Sequence, residues 1–352
     1  MSIISEGSLY GSAGKLLTDI GITGHFKLEP LPGGRNNRVF RVVTSERPFF
    51  LKSYFYSADD PRDRLHHEYG FTSFLWSCGI RSVPQPLGDL PERRVALYEY
   101  IEGKPASHRP STTEDIEQAA LFILSINSHR NDDAARKLPP ASEAFFSLKG
   151  HVEGTRGRVE RLSDIDVADD YDKSATENVQ KELLPLWREI EDRIDSAIRK
   201  DDMVNWTLCN EDRWISPSDF GFHNAIEEEN GEIRFIDFEY AGWDDPAKLL
   251  CDFTNQPDRI LDSEISGGFM ETIIANDVRP DFLRYRHSFL EPLYQIKWAC
   301  IILNDFLPFG KTRREFTLLD DTSWKRSQLK KLDIMLDRVK SSLSSSVISR
   351  FK

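Results

Sequence analysis

The strongest constraint on how this chain folds is the dipeptide Asn230-Gly231, set between two runs of alternating apolar and polar residues. Asn-Gly in that setting is the strongest short-range hairpin signal, because both positions of a type I′ turn need positive φ. A two-residue turn there places 229 opposite 232 and 224 opposite 237. Asn224 and Asp237 then face each other with Cβ atoms about 4.5–5.5 Å apart. They share the mainly apolar face with Ile226, Ile233 and Phe235, while Glu227, Glu229, Glu232 and Arg234 form the solvated one.

An amide oxygen beside a carboxylate at the open end of a hairpin suits Mg²⁺, which takes few hard oxygen ligands and keeps waters for phosphates. Asp219, five residues before Asn224, supplies a second carboxylate as base. Asp-x-x-x-x-Asn followed by another Asp is the catalytic-loop and metal-site pattern of kinases. The earlier part of the chain should therefore hold phosphate-binding parts. Lys52 ends the run Phe49-Phe50-Leu51 and matches the strand lysine that contacts nucleotide phosphates. Glu68 shares a helix face with Leu65, Thr72 and Leu75, so it points inward and needs a partner, for which Lys52 is the natural one. The turn Gly33-Gly34-Arg35-Asn36-Asn37 offers backbone N–H groups to phosphates. A Walker A loop is absent, which removes a P-loop enzyme.

With 352 residues the chain has length for two domains. Up to residue 103 it alternates β-rich runs with one helix: strands at 39–43 and 49–51 joined as a hairpin, a helix over 64–78 and a strand at 95–100. The break Glu102-Gly103-Lys104-Pro105 marks a lobe boundary. Beyond it, periodicity predicts helices over 115–129 and 183–198, a buried helix or helix pair over 282–306, and an amphipathic helix around 329–339. The Ser-rich stretch 341–346 is expected to fray. The expected architecture is α+β and bilobal: a small β-rich lobe, 1–103, and a larger helical lobe, 104–352.

A net charge of −12 argues against a nucleic-acid partner that relies on phosphate neutralisation. No apolar run reaches the roughly 18 residues needed to span a bilayer, and no signal peptide is evident, so a cytoplasmic protein is expected. Cys78, Cys209, Cys251 and Cys300 are widely separated and lack a C-x-x-C pair. They read as reduced thiols, not a disulfide framework or a zinc site.

Taken together, Gly33-Gly34-x-Asn36-Asn37, Phe50-Leu-Lys52, Glu68, Leu97-Tyr-Glu-Tyr-Ile-Glu-Gly103, Asp219 to Asn224, and Ile236-Asp-Phe-Glu-Tyr-Ala-Gly-Trp-Asp-Asp-Pro246 resemble the aminoglycoside phosphotransferase and choline kinase family. That resemblance implies a protein-kinase-like fold and transfer of the γ-phosphoryl group of ATP, or of GTP, to a small-molecule hydroxyl. It implies Asp219 as base, Asn224 and Asp237 as Mg²⁺ ligands, and Lys52 on the nucleotide phosphates, with Glu68 and the glycine turn supporting them. Backbone groups around Glu99, Tyr100 and Ile101 would bind the purine. The family's usual His-Gly before the catalytic Asp is replaced by Pro217-Ser218.

The short passage from Asp237 to Pro246 leaves little chain for the peptide platform that a protein kinase builds between D-F-G and A-P-E. A small hydroxylated acceptor is favoured: an aminoglycoside, a sugar, a choline-like amino alcohol or an amino acid. Trp243, Glu239, Tyr294 and Trp298 are candidates to line its site, since aromatic faces suit sugars and quaternary ammonium groups. A macromolecular acceptor and a nucleotide-binding pseudokinase are the competing readings. Against the second, a non-catalytic scaffold has no physical need for all five of Lys52, Glu68, Asp219, Asn224 and Asp237.

Overall fold

The computed structural model describes residues 6–32, 37–56, 62–200, 207–257, 261–308 and 323–345. They fall into two compact units, Met1–Ser142 with Ile215–Trp243, and Glu143–Trp214 with Asp244–Lys352.

Alternating side chains build the first unit's main sheet. Strands β1 (Lys27–Pro30), β2 (Arg38–Val43), β3 (Pro48–Ser53), β4 (Pro86–Leu90) and β5 (Val95–Glu99) form an antiparallel sheet in the order β1-β2-β3-β5-β4. Leu51 pairs with Leu97, and its neighbour Lys52 pairs with Ala96. Successive residues point to opposite faces. One face, with Phe40, Val42, Phe49, Leu51 and Leu97, packs on helix α1 (Glu6–Asp19) through Leu9, Ala13, Leu16 and Leu17. The other, with Ala96, Tyr98 and Tyr54, packs on Leu65 of helix α2 (Arg64–Ser77). Lys52 therefore lies between the sheet and α2.

The remainder of this unit places the segment singled out by sequence. Helix α3 (Thr113–Ser128) starts at a capping box between Thr112 and Asp115. Its Phe122 stacks on Phe235 with centroids 4.6 Å apart, and packs against Phe220 and Phe238. Asn127 bonds both backbone groups of Ile215, through Nδ2 to the carbonyl at 3.0 Å and from the amide to Oδ1 at 2.8 Å. That fixes β7 (Trp214–Ser216) ahead of the loop. Strands β6 (Lys104–Pro105), β8 (Ala225–Glu227) and β9 (Ile233–Phe235) form a three-stranded sheet. Gly103 is required beside it, since a Cβ there would collide with Glu227 O and lie 2.6 Å from Ile226 Cγ2.

The β8–β9 hairpin corrects the expected register by one residue. Ala225 pairs with Phe235, Ile226 with Arg234 and Glu227 with Ile233. The loop holds three residues, not two: Gly231 N donates to Glu228 O at 3.0 Å and Glu228 N to Glu232 O at 2.9 Å. Gly231 alone takes a left-handed φ, +85°, which gives a type I turn closed by a bulge in place of type I′. A shift of one residue exchanges faces. Ile226 accordingly sits opposite Arg234, away from Ile233 and Phe235, and Asn224 lies across from Ile236 instead of Asp237.

The second unit is helical: α4 (Leu148–Glu160), α5 (Asp170–Asn178), α6 (Leu184–Lys200), α7 (Pro246–Thr254), α8 (Ser263–Ala275), α9 (Pro280–Leu303) and α10 (Ser323–Ser345). Helix α9 is its axis, with α4, α6, α7, α8 and α10 packed around it. The 282–306 stretch is thus one long helix with a short 3-10 turn after it. The Ser-rich end does not fray where described. Residues 341–345 are the last turns of α10, with Leu343 buried and its carbonyl accepting from Arg193 Nη1 at 2.8 Å. Among the described residues no helix is long and apolar enough to cross a membrane.

Candidate active site

Side-chain alternation puts Lys52 on the α2 side of the sheet, and helical spacing brings Glu68 to meet it. Lys52 Nζ donates to Glu68 Oε2 at 2.7 Å and to Asp237 Oδ1 at 2.6 Å. Lys52 and Glu68 are both buried, as are Leu65, Thr72 and Leu75 along the same face of α2. Burial alone would lower the Lys52 pKa, but the charges of Asp237 and Glu68 outweigh it and hold the ammonium well above its ordinary value. Burial raises Glu68 to about 7 against the opposing pull of Lys52, with the charge of Asp237 adding to the rise.

Asp237 follows β9 at φ +66°, a left-handed conformation that costs a non-glycine residue about 1–2 kcal/mol. The backbone is pinned on both sides. Ile236 N donates to Asn224 O at 3.0 Å, and Phe238 is buried with its ring 5.0 Å from that of Phe71. The Asp237 side chain stays 38% exposed. Two residues on, Glu239 is buried and accepts from Asn37 Nδ2 at 2.5 Å, with Arg64 Nε 3.6 Å from its other oxygen. Burial would raise Glu239, but Lys52, the Asn37 amide and Arg64 together depress it. Asn37 also accepts from Phe55 N at 3.1 Å, so one amide ties β2 to the end of β3.

The loop after β7 alternates aromatic and polar residues. Phe220 and Phe222 are buried, while the side chain of Asp219 between Ser218 and Phe220 stays 35% exposed. Asn224 Nδ2 donates to the Asp219 carbonyl at 3.0 Å, and His223 Nε2 lies 3.2 Å from Asp219 Oδ1. Ser218 has φ +67° and donates its N–H to Ser216 Oγ at 3.0 Å. The position at which the resembled family carries glycine is one that favours glycine here as well.

Residues 27–286 match the model of the phosphotransferase enzyme family. The chain belongs to that family. No curated protein matches it. A spectinomycin phosphotransferase solved with ADP and spectinomycin is 13% identical, with a TM-score of 0.65, over 94% of this chain and 97% of that one. An ethanolamine kinase of Plasmodium vivax is 14% identical, with a TM-score of 0.60, over 97% and 92%. A choline kinase of Streptococcus pneumoniae is 14% identical, with a TM-score of 0.56, over 93% and 98%. The phosphotransferase has a kinase-like α+β fold, with a small antiparallel sheet and a larger helical part.

Lys52, Glu68, Asp237, Asn37 and Glu239 thus converge in one unit of the phosphotransferase, with Asp219 and Asn224 on the neighbouring loop of that unit. Gly33, Gly34 and Asn36 lie outside the described residues. Glu99 ends β5 with its carboxylate held by Gln85 N at 3.1 Å and Arg234 Nη2 at 2.9 Å. Tyr100 lies under the Arg41 guanidinium at 4.8 Å, and Ile101 is buried. The Trp243 indole N–H donates to Ala135 O at 3.0 Å. In the other unit, Tyr294 is buried against His151 Nδ1 at 2.8 Å, and Trp298 is buried on α9. One contributor went unforeseen: Arg64, 3.6 Å from Glu239, sits at a helix start where a basic residue carries no signal. His223, whose place before Asn224 suggests a loop or helper residue, is brought to Asp219 by the fold.

Proposed function

We propose that this phosphotransferase moves the γ-phosphoryl group of ATP to a hydroxyl of a small molecule, using Mg²⁺ held by Asn224 and Asp237, with Asp219 as the base. GTP is an alternative donor, since purine contacts around Glu99, Tyr100 and Ile101 would be made by backbone groups. The reading assigns nucleotide-phosphate binding to the 1–103 lobe and catalysis and acceptor binding to 104–352.

The observation that carries it is Lys52, one ammonium between Glu68 on α2 and Asp237 after β9. Phosphoryl transfer asks a protein mainly for positioning and charge, and a lysine oriented by a helix glutamate is the group that fixes the nucleotide phosphates. The donor set also fits Mg²⁺. Asp237 gives a partly exposed carboxylate, and with its nitrogen spent on Asp219 O, Asn224 presents its amide oxygen. When bound, the ion would neutralise charge on the phosphate oxygens. In this scheme Lys52 turns from Asp237 to the phosphates, Glu68 holds it there, and Asp219 orients the attacking hydroxyl and takes its proton. The acceptor is an aminoglycoside, sugar, amino alcohol or amino acid, with partly exposed Trp243 as the best placed of the lining candidates.

ATP turnover with Mg²⁺ against a panel of such acceptors tests this, with Asp219→Asn beside the wild type. One acceptor should stimulate turnover, and Asp219→Asn should lower kcat by about 10²–10⁴-fold while nucleotide still raises Tm. Nucleotide binding without turnover on any acceptor would favour the pseudokinase. Failure to bind nucleotide at all would overturn the reading of Asn224 and Asp237 as metal ligands.

A further inference from the structure

Cysteine spacing gives no zinc pattern, yet the helical unit brings three metal-binding side chains together. His287 and Glu291 stand at i and i+4 on α9, and so on one face of it. Cys251 comes to them from α7, and one ligand atom of each lies within 4.8 Å of the others. Cys251 is fully buried, and the side chains of His287 and Glu291 are 12% and 22% exposed. His287 Nε2 is 3.1 Å from Glu291 Oε2, but it is buried and makes no aligned hydrogen bond among the described residues.

A surrounding set of amides orients the carboxylate. Gln295 Nε2 donates to Glu291 Oε1 at 2.9 Å, and Asn255 Nδ2 lies 3.3 Å from Oε2. Such outer hydrogen bonds hold metal-ligating carboxylates in place. Gln295 is itself 3% exposed, and its Oε1 is buried with no hydrogen-bond partner among the described residues. A buried acceptor left without a donor costs about 1–3 kcal/mol. A water on a bound ion is a donor of the kind that this oxygen lacks.

We propose that Cys251, His287 and Glu291 form a zinc site separate from the phosphoryl-transfer site. One sulfur, one imidazole nitrogen and one carboxylate oxygen are zinc's ordinary donors, and three protein ligands leave a fourth tetrahedral position for water. Donor atoms around zinc stand about 3.3–3.7 Å apart at usual bond lengths, so donors within 4.8 Å of one another need shifts of at most about 1.5 Å to share one ion. Burial, then the charge of Glu291, keeps the proton on the Cys251 thiol without metal. Zinc replaces that proton, which leaves to solvent as the Zn–S bond forms. The thiolate and Glu291 then balance the ion's charge. A second trio, Cys78, His129 and Asp132, has similar chemistry. Its His129 and Asp132 side chains are 34% and 51% exposed, and it serves as the control.

The full-length protein, loaded with Zn²⁺ and dialysed against a weak chelator, should retain one ion per chain by plasma mass spectrometry. Co²⁺ in its place should give a thiolate-to-cobalt charge-transfer band. Cys251→Ser should lose both, Cys78→Ser neither, and Gln295→Leu should weaken Zn²⁺ binding about 10–100-fold. No retained zinc in the wild type, zinc that survives Cys251→Ser but not Cys78→Ser, or cobalt without a thiolate band would each overturn the proposal. The wild-type cobalt spectrum and Cys78→Ser decide the matter even where Cys251→Ser fails to fold.

Discussion

Lys52 Nζ lies 2.6 Å from Asp237 Oδ1 and 2.7 Å from Glu68 Oε2, so one buried ammonium joins β3, α2 and the chain after β9. Removing one member of such a group leaves a buried charge uncompensated, which costs about 3–5 kcal/mol. Lys52→Met should therefore lower stability by about 3 kcal/mol in urea unfolding and abolish turnover. Adding Glu68→Gln should recover part of the stability but none of the activity. Strict additivity of the two substitutions would show that they do not share one network.

Ser218 carries a conformation that glycine adopts at no steric cost, at φ +67° just before Asp219. Ser218→Gly should raise stability by about 0.5–1 kcal/mol, the relief of left-handed strain exceeding the added freedom of the unfolded chain. Thermal unfolding at constant pH reads it. A fall in Tm would mean that the Ser218 side chain contributes more than its backbone strain costs.

What could be read before the structure followed from how plainly each segment declares its period. β2, β3 and β5 are rich in Val, Phe and Leu, and helical spacing turns Glu68 inward by simple counting, which makes Lys52 near the end of β3 its natural partner. β4 hides, because Pro86-Leu-Gly-Asp-Leu90 has no β-branched residue and its register shifts between Pro86 and Gly88. Helix α1 hides as well, its stripe of Leu9, Ala13, Leu16 and Leu17 diluted by Gly7, Gly11 and Gly14. At the site the error was one residue. Asn230-Gly231 signals a hairpin correctly, but either a two- or a three-residue loop can carry it, and the choice decides which residue faces Asn224. The kinase-like fold survived that slip because the Asp219, Asn224 and Asp237 spacing, rather than their pairing, carries the pattern.

Serines outnumber apolar residues in the last turns of α10, which by composition alone predicts a fraying tail. Leu343 nonetheless buries its side chain, and its carbonyl takes a hydrogen bond from buried Arg193. Truncation after Lys340 removes a buried leucine, worth about 1.5–3 kcal/mol, and strands a charged donor. The truncated protein should lose about 3 kcal/mol in urea unfolding. An unchanged midpoint would show that the turn adds nothing.

His151 supplies a pH dependence of known sign. It is buried between Tyr294, whose hydroxyl donates to Nδ1 at 2.8 Å, and Asp245, whose carboxylate accepts from Nε2 at 3.0 Å. Arg286 Nε, 2.6 Å from the same oxygen, holds Asp245 ionised, well below the usual carboxylate range. Burial first, then Arg286 and Lys248, lower His151 to about 4 despite Asp245. The ordinary value is about 6.5, so below that the unfolded chain binds the proton more tightly. The stability due to neutral His151 is complete above pH 6.5 and is lost as pH falls toward 4. At about 1.4 kcal/mol per pH unit, the loss between pH 7 and pH 5 comes to about 2 kcal/mol. Urea unfolding at the two values, wild type beside His151→Gln, isolates this part. The wild type should lose about 2 kcal/mol more than the variant, and equal losses would mean that folding leaves the pKa of His151 where the unfolded chain has it.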